Sequence, residues 1–172
     1  IQEQREKMRV RGTLDRYISE DVASEILDRR EDYYESLGGI DRDVTVLFSD
    51  IRSFTTLSER LEPNELVSQL NDYLTEMVNE VQENRGRLDK FIGDAVMAVW
   101  GDLFQNDSTE QDAKLAVNAA RNMLEDLEEL NEQWESEDRP PFRIGIGIAH
   151  GKATFGNLGS NQRMQLTVIG DT

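Results

Sequence analysis

The chain has 172 residues, 37% of them hydrophobic, with a formal net charge of -16 and no cysteine. That is the size of one domain with room for a sizeable core; the missing thiols exclude disulfides and thiolate zinc sites, and a lone histidine cannot build a histidine metal cage. With 35 Asp and Glu against 19 Lys and Arg, nucleic acid is excluded as a partner and so is direct contact with an anionic membrane surface.

No run of about 18 apolar residues could span a bilayer, and no signal peptide is visible at the charged N-terminus, so the sequence predicts a cytoplasmic domain whose parent protein is free to be membrane-tethered. The opening without Met and the close at Ile169-Gly170-Asp171-Thr172 read as cuts in a longer protein. Residues 1–11 read as the end of an incoming helix broken near Gly12, and a second helix follows Ser19; we expect 1–40 to be a helical linker from an upstream regulatory region. Ser36-Leu37-Gly38-Gly39 is a break. A β-rich domain, 41–172, comes after it.

Its first strand is expected at about 43–50, the apolar run Val44-Thr45-Val46-Leu47-Phe48-Ser49-Asp50. Pro63 suits a first helical position, and Leu66, Leu70, Tyr73, Leu74, Met77, Val78 and Val81 give the helix one apolar face until Gly86 ends it. A hairpin of about 87–92 and 95–100 turns at Gly93-Asp94. A long helix, about 109–137, carries Ala113, Ala116, Val117, Ala120, Met123, Leu124, Leu127 and Leu130 at helical spacing until Arg139-Pro140-Pro141 stops the helix. Strands at about 142–149, 152–158 and 165–169 complete the list. Trp100, Met97, Val99 and Trp134 read as core, and His150 as a loop or core histidine.

This order, β-α-β-β-α-β with added strands, predicts an α+β fold of the ferredoxin-like kind, C-terminally incomplete. In that topology the first strand lies antiparallel beside the third, so the end of one meets the start of the other. Asp50 and Asp94 then become neighbours at one sheet edge. Two converging carboxylates suit a pair of hard cations that also hold substrate phosphates. The segment Ile51-Arg52-Ser53-Phe54-Thr55-Thr56, leading into a short helix, can offer backbone N–H groups to those phosphates. The bland alternative makes Asp50 a helix cap and Asp94 a turn residue.

The stretches Leu47-Phe48-Ser49-Asp50-Ile51-Arg52-Ser53-Phe54-Thr55, Asp89-Lys90-Phe91-Ile92-Gly93-Asp94-Ala95, Gly145-Ile146-Gly147-Ile148-Ala149-His150-Gly151 and Thr167-Val168-Ile169-Gly170-Asp171-Thr172 resemble class III nucleotidyl cyclases, the cyanobacterial-type adenylate cyclases above all. The resemblance runs from about 43 to 172. It implies conversion of ATP to 3′,5′-cyclic AMP and pyrophosphate, with Asp50 and Asp94 as catalytic residues. Two Mg²⁺ or Mn²⁺ ions would be held by Asp50, Asp94 and the carbonyl of Ile51, with Phe54 and Thr55 donating N–H to the phosphates. It also implies that Lys90 and Thr167 read the base: a lysine only donates, which suits adenine N1 and mismatches guanine N1–H. Read alone, Lys90 is an ordinary exposed strand lysine and Thr167 an ordinary β-former.

Lys90 and Asp94 share one hairpin, too close to grip both ends of one extended nucleotide. The expected assembly is therefore a head-to-tail homodimer with shared sites. Residues 1–35 resemble the linker from a covalently attached upstream sensory domain. Two departures stand out. Ser53 occupies a position where many relatives carry Gly, tolerable if φ there is negative, and an Asn and an Arg that the family carries beyond its last motif do not occur by Thr172. The competing readings are a guanylate cyclase, a diguanylate cyclase, which would need a Gly-Gly-Asp/Glu-Glu-Phe hairpin absent here, and a non-catalytic dimerisation module.

Overall fold

The structure, a computed structural model, describes residues 39–102, 108–160 and 163–171. The linker expected over 1–40 and its two helices lie almost wholly outside these residues. Strand β1 (Ile40–Ile51) is followed by the short helix α1 (Phe54–Ser58), α2 (Pro63–Glu83), β2 (Arg87–Ile92), β3 (Ala95–Trp100), α3 (Thr109–Ser136), β4 (Ile144–Ser160) and β5 (Arg163–Ile169). The described residues fall into a larger unit, built on Asp41–Thr154 and the chain from Val168 onward, and a smaller one that includes Phe155–Thr167.

The sheet order is β2-β3-β1-β4-β5, with β3 antiparallel to both β1 and β2. Its first four strands have the expected ferredoxin-like order. One face of β1 and β3, Leu47, Ile51, Val96, Ala98 and Trp100, packs against Tyr73, Met77 and Val81 of α2 and Ala116, Met123 and Leu127 of α3. Each such large side chain contributes roughly 1.5–3 kcal/mol through burial. Pro63 stands at the start of α2, as its fixed φ favours.

Several features differ from expectation. β1 starts at Ile40. The strands expected at 142–149 and 152–158 are one 17-residue strand, because Gly151 makes no turn: among the described glycines only Gly93, Gly101 and Gly159 have positive φ. Instead the His150 ring shares a 2.9 Å hydrogen bond with the Thr45 hydroxyl, and the Thr154 hydroxyl donates to Asp41 at 2.9 Å, so β4 stays alongside β1. Third, α2 ends at Glu83 and Arg85, at φ 58, takes the left-handed position, with Gly86 N–H donating to the Val81 carbonyl at 2.8 Å. Gly86 serves a neighbour: a Cβ there would lie 2.5 Å from the Trp100 indole, whose N–H donates to the Asn84 carbonyl. Last, Val117 and Leu124 of α3 are exposed, since they flank the buried Ala116 and Met123 stripe.

Between α2 and α3 sits an acidic contact that the apolar spacing hides. Glu80 is buried, accepts from Asn122 at 2.8 Å, and faces Asp126. Burial, then the Glu80 charge, pushes the Asp126 carboxyl up to about 6. The folded state therefore holds this proton more tightly than the unfolded chain, whose Asp titrates near 3.9. Stability from this contact is full below about pH 4 and falls as pH rises through about 6. Asp126→Asn is expected to raise the melting temperature at pH 8 by a few degrees, under about 1 kcal/mol after solvent screening, and to change nothing at pH 4. Thermal melts at both values check this; an equal gain at both would place its origin elsewhere.

Candidate active site

The ladder that runs Thr45↔Trp100 to Ser49↔Val96 brings the C-terminal end of β1 to the Gly93-Asp94 turn. There the Ile51 N–H donates to the Asp94 carboxylate at 3.1 Å, and the Asp50 carboxyl lies within hydrogen-bonding reach of it. Asp50 is exposed and Asp94 half-buried. Burial raises the Asp94 pKa, and the Asp50 charge raises it further, against the lowering effect of the Ile51 N–H. Two acids thus crowd together. Near them Tyr73, which helical spacing alone marks only as a packing residue, shares a 3.3 Å hydrogen bond with Ser49; burial pushes its phenol up to about 12, with the charges of Asp94 and Asp50 adding to the shift.

Lys90 sits on β2 opposite Met97, which in turn pairs with Phe48 on β1. Paired residues share a sheet face, and Asp50 lies two residues beyond Phe48, so Lys90 and Asp50 occupy the same face, roughly 12 Å apart from strand spacing and rise. On this face Phe48 is 43% and Ile92 of the hairpin 53% exposed. Thr167 is buried near the end of β5, in the smaller unit.

The loop after β1 is where an expectation fails. Ser53 has φ 57 and ψ 30, the left-handed region, and its side chain makes no cap to α1. A non-glycine residue there carries strain of roughly 1–3 kcal/mol, while glycine would lose about 0.5–1 kcal/mol to chain entropy. Ser53→Gly should therefore stabilise the fold by up to about 1 kcal/mol, a rise of a few degrees in melting temperature. A lower melting temperature would show that the serine is favoured in this conformation. Phe54 is half-buried and packs on the core, and Thr55 is exposed. Arg52 N–H donates to the Arg143 carbonyl at 2.7 Å, and Arg52, Arg60 and Arg143 line a cleft of about 330 Å³ beside this loop that excludes both aspartates.

A buried charge network, which strand periodicity concealed, lies behind Lys90. Arg87 Nε donates to Asp102 at 2.7 Å and Arg87 Nη2 pairs with Asp89 at 2.7 Å. Burial works against the Arg87 charge, but Asp102 and Asp89 outweigh it and raise its pKa. Asp89 also holds Lys90 Nζ at 3.3 Å. Among the described residues no group of three or more His, Cys, Asp and Glu could enclose a metal ion, and no helix is long and apolar enough to cross a membrane.

Known proteins share this fold and sequence. The profile of the adenylate and guanylate cyclase catalytic domain matches residues 40–172. An adenylate cyclase from Anabaena cylindrica is 39% identical over 134 residues, which is 76% of this chain and 25% of that protein. The adenylyl cyclase CyaB from P. aeruginosa superposes with a TM-score of 0.75 at 40% identity, covering 78% of this chain and 69% of that one. A solved guanylyl cyclase superposes with a TM-score of 0.72 at 36% identity, covering 78% and 66%. The chain spans about a quarter of the Anabaena relative's length. With its fold and its sequence in agreement, the chain belongs to the class III adenylate and guanylate cyclase catalytic domains.

Proposed function

We propose that the chain is the catalytic domain of an adenylate cyclase that converts ATP to 3′,5′-cyclic AMP and pyrophosphate at a site shared by two copies. The observation that carries this reading is the meeting of Asp50 and Asp94 where β1 ends and the hairpin turns. The donor set fits a dication. A positive charge beside Asp94 would offset the Asp50 charge that, after burial, raises its pKa, and two carboxylates with one carbonyl, that of Ile51, leave positions for phosphate oxygens. When bound, two Mg²⁺ or Mn²⁺ ions would activate the ribose 3′-hydroxyl and neutralise the departing pyrophosphate.

The chain's own groups do the rest. Asp94 is fixed by the Ile51 N–H, so its carboxylate is oriented before any ligand arrives. Phe54 and Thr55 offer N–H groups to the triphosphate. The 3′-oxygen attacks the α-phosphorus, its proton passes to bulk water, and the bond between that phosphorus and pyrophosphate breaks. Lys90 donates to adenine N1, and Thr167 completes base recognition. The metals would lie on one copy and the base on the other, in a head-to-tail homodimer. Support comes from the sheet face that carries Asp50, Phe48, Ile92 and Lys90, which leaves apolar area exposed beside the site. An upstream sensory domain fits the greater length of the relatives. A cytoplasmic location fits the substrate.

A guanylate cyclase is the second reading, because several similar structures are guanylyl cyclases. Lys90 argues against it. The test is to incubate the purified protein with Mn²⁺ and either ATP or GTP and separate the products. Cyclic AMP should dominate, and Lys90→Glu should lower the ATP-to-GTP preference at least about tenfold, because a charged hydrogen bond is lost and an unpaired acceptor gained. Dominant cyclic GMP would favour the second reading; no cyclic product from either nucleotide would leave the dimerisation module.

A further inference from the structure

β2 pairs Leu88 with Ala98 but Lys90 with Met97, so Asp89 is an inserted residue, a β-bulge. Ala98 and Met97 are successive residues and point to opposite faces, Ala98 into the helix-covered core. Without the insertion, Lys90 would follow Leu88 onto the core side. The bulge thus turns Lys90 to the face that carries Asp50, the face on which Arg87 lies opposite Val99, and Asp89 between them is buried against Arg87, its side chain 0% exposed. A buried carboxylate is costly unless paired, and this one pairs through Oδ1 with Arg87 at 2.7 Å and through Oδ2 with Lys90 Nζ at 3.3 Å. Arg87 is itself held by Asp102 at 2.7 Å, so the carboxylate presented to Lys90 is immobile.

We propose that Asp89 is a positioning residue for nucleotide choice: anchored by Arg87, it holds the Lys90 ammonium where that group meets the purine, and so sets the preference for ATP over GTP. This rests on the reading of Lys90 given above. A lysine side chain immobilised in advance avoids an ordering cost of about 0.5–1.5 kcal/mol on binding, a factor of roughly two to ten.

The experiment is steady-state kinetics of the intact protein with ATP and with GTP, for the wild type, Asp89→Asn, Lys90→Ala and the double variant. Asp89→Asn removes the charge but keeps the shape, and Asp102 still pairs with Arg87. It should raise KM for ATP roughly two- to tenfold with kcat little changed, and lower the ATP-to-GTP ratio of kcat/KM by the same factor. In the Lys90→Ala background it should change that ratio no further. If Lys90→Ala lowers the ratio and Asp89→Asn does not, or if Asp89→Asn lowers kcat for both nucleotides at constant KM as a smaller folded fraction would, Asp89 is structural and the proposal fails. If Lys90→Ala leaves the ratio unchanged, base reading by Lys90 fails and takes the proposal with it. Should Asp89→Asn not fold, Asp89→Glu keeps the charge for Arg87 while moving the carboxylate by one methylene. An unchanged ratio in that variant overturns the proposal equally.

Discussion

Asp50→Ala is expected to cut cyclase turnover at saturating Mg²⁺ by at least about a hundredfold while leaving the protein as stable as before or more so. Losing a residue that merely supports a metal ligand typically costs 10–100-fold, and a carboxylate that would itself hold the ions should cost no less. Stability should move the other way, because the Asp50 charge raises the pKa of its half-buried neighbour Asp94 and its removal lifts that repulsion. Asp50 is itself exposed, so the substitution opens no cavity. Asp94→Ala should be as inactive but less stable by about 1 kcal/mol, since it strands the Ile51 N–H. Turnover and thermal melts on the same preparations check both. Asp50→Ala with more than about a tenth of wild-type activity would sink the two-ion assignment, for a tenfold loss is only about 1.4 kcal/mol.

Mixing two inactive variants should regenerate activity. If one copy supplies Asp50 and the other Lys90, an Asp50→Ala homodimer and a Lys90→Ala homodimer are each defective at both sites. A heterodimer of the two has one site with both defects and one with neither. Random exchange at equal amounts makes about half of the dimers mixed, so the mixture should recover about a quarter of wild-type activity per chain. Cyclic AMP formation measured before and after exchange, with mass spectrometry confirming the mixed species, decides it. Mixed dimers no more active than their parents would mean that each site is built from one copy.

Much of this architecture is legible in the sequence where a single period runs long. The alternation within residues 43–50, the apolar face of α2 and the Pro63 start are local signals that tertiary contacts reinforce. The pairing of Asp50 with Asp94 follows from topology alone, since β1 must lie against β3 if the helices cross on one face. Other features rest on contacts that no local rule contains. The continuity of β4 through Gly151 depends on Thr45 and Asp41, more than a hundred residues away in the chain. The left-handed Ser53 and Arg85 break the preference for glycine at such positions. The Asp89 bulge is concealed because an inserted residue interrupts the very alternation used to find strands.

The lodging of Trp100 against Gly86 gives the hairpin a root. β3 runs from that indole to the turn that bears Asp94, six residues or roughly 20 Å of rigid strand. A strand clamped at its base behaves as a pointer, whose far end moves in proportion to any rotation at the clamp. A methyl group added at position 86 must push the indole aside, and with it the Trp100 backbone that pairs with Thr45. The aim of the Asp94 carboxylate is thus set at the opposite end of its strand from the chemistry, and variation at position 86 can detune the site while touching none of its residues.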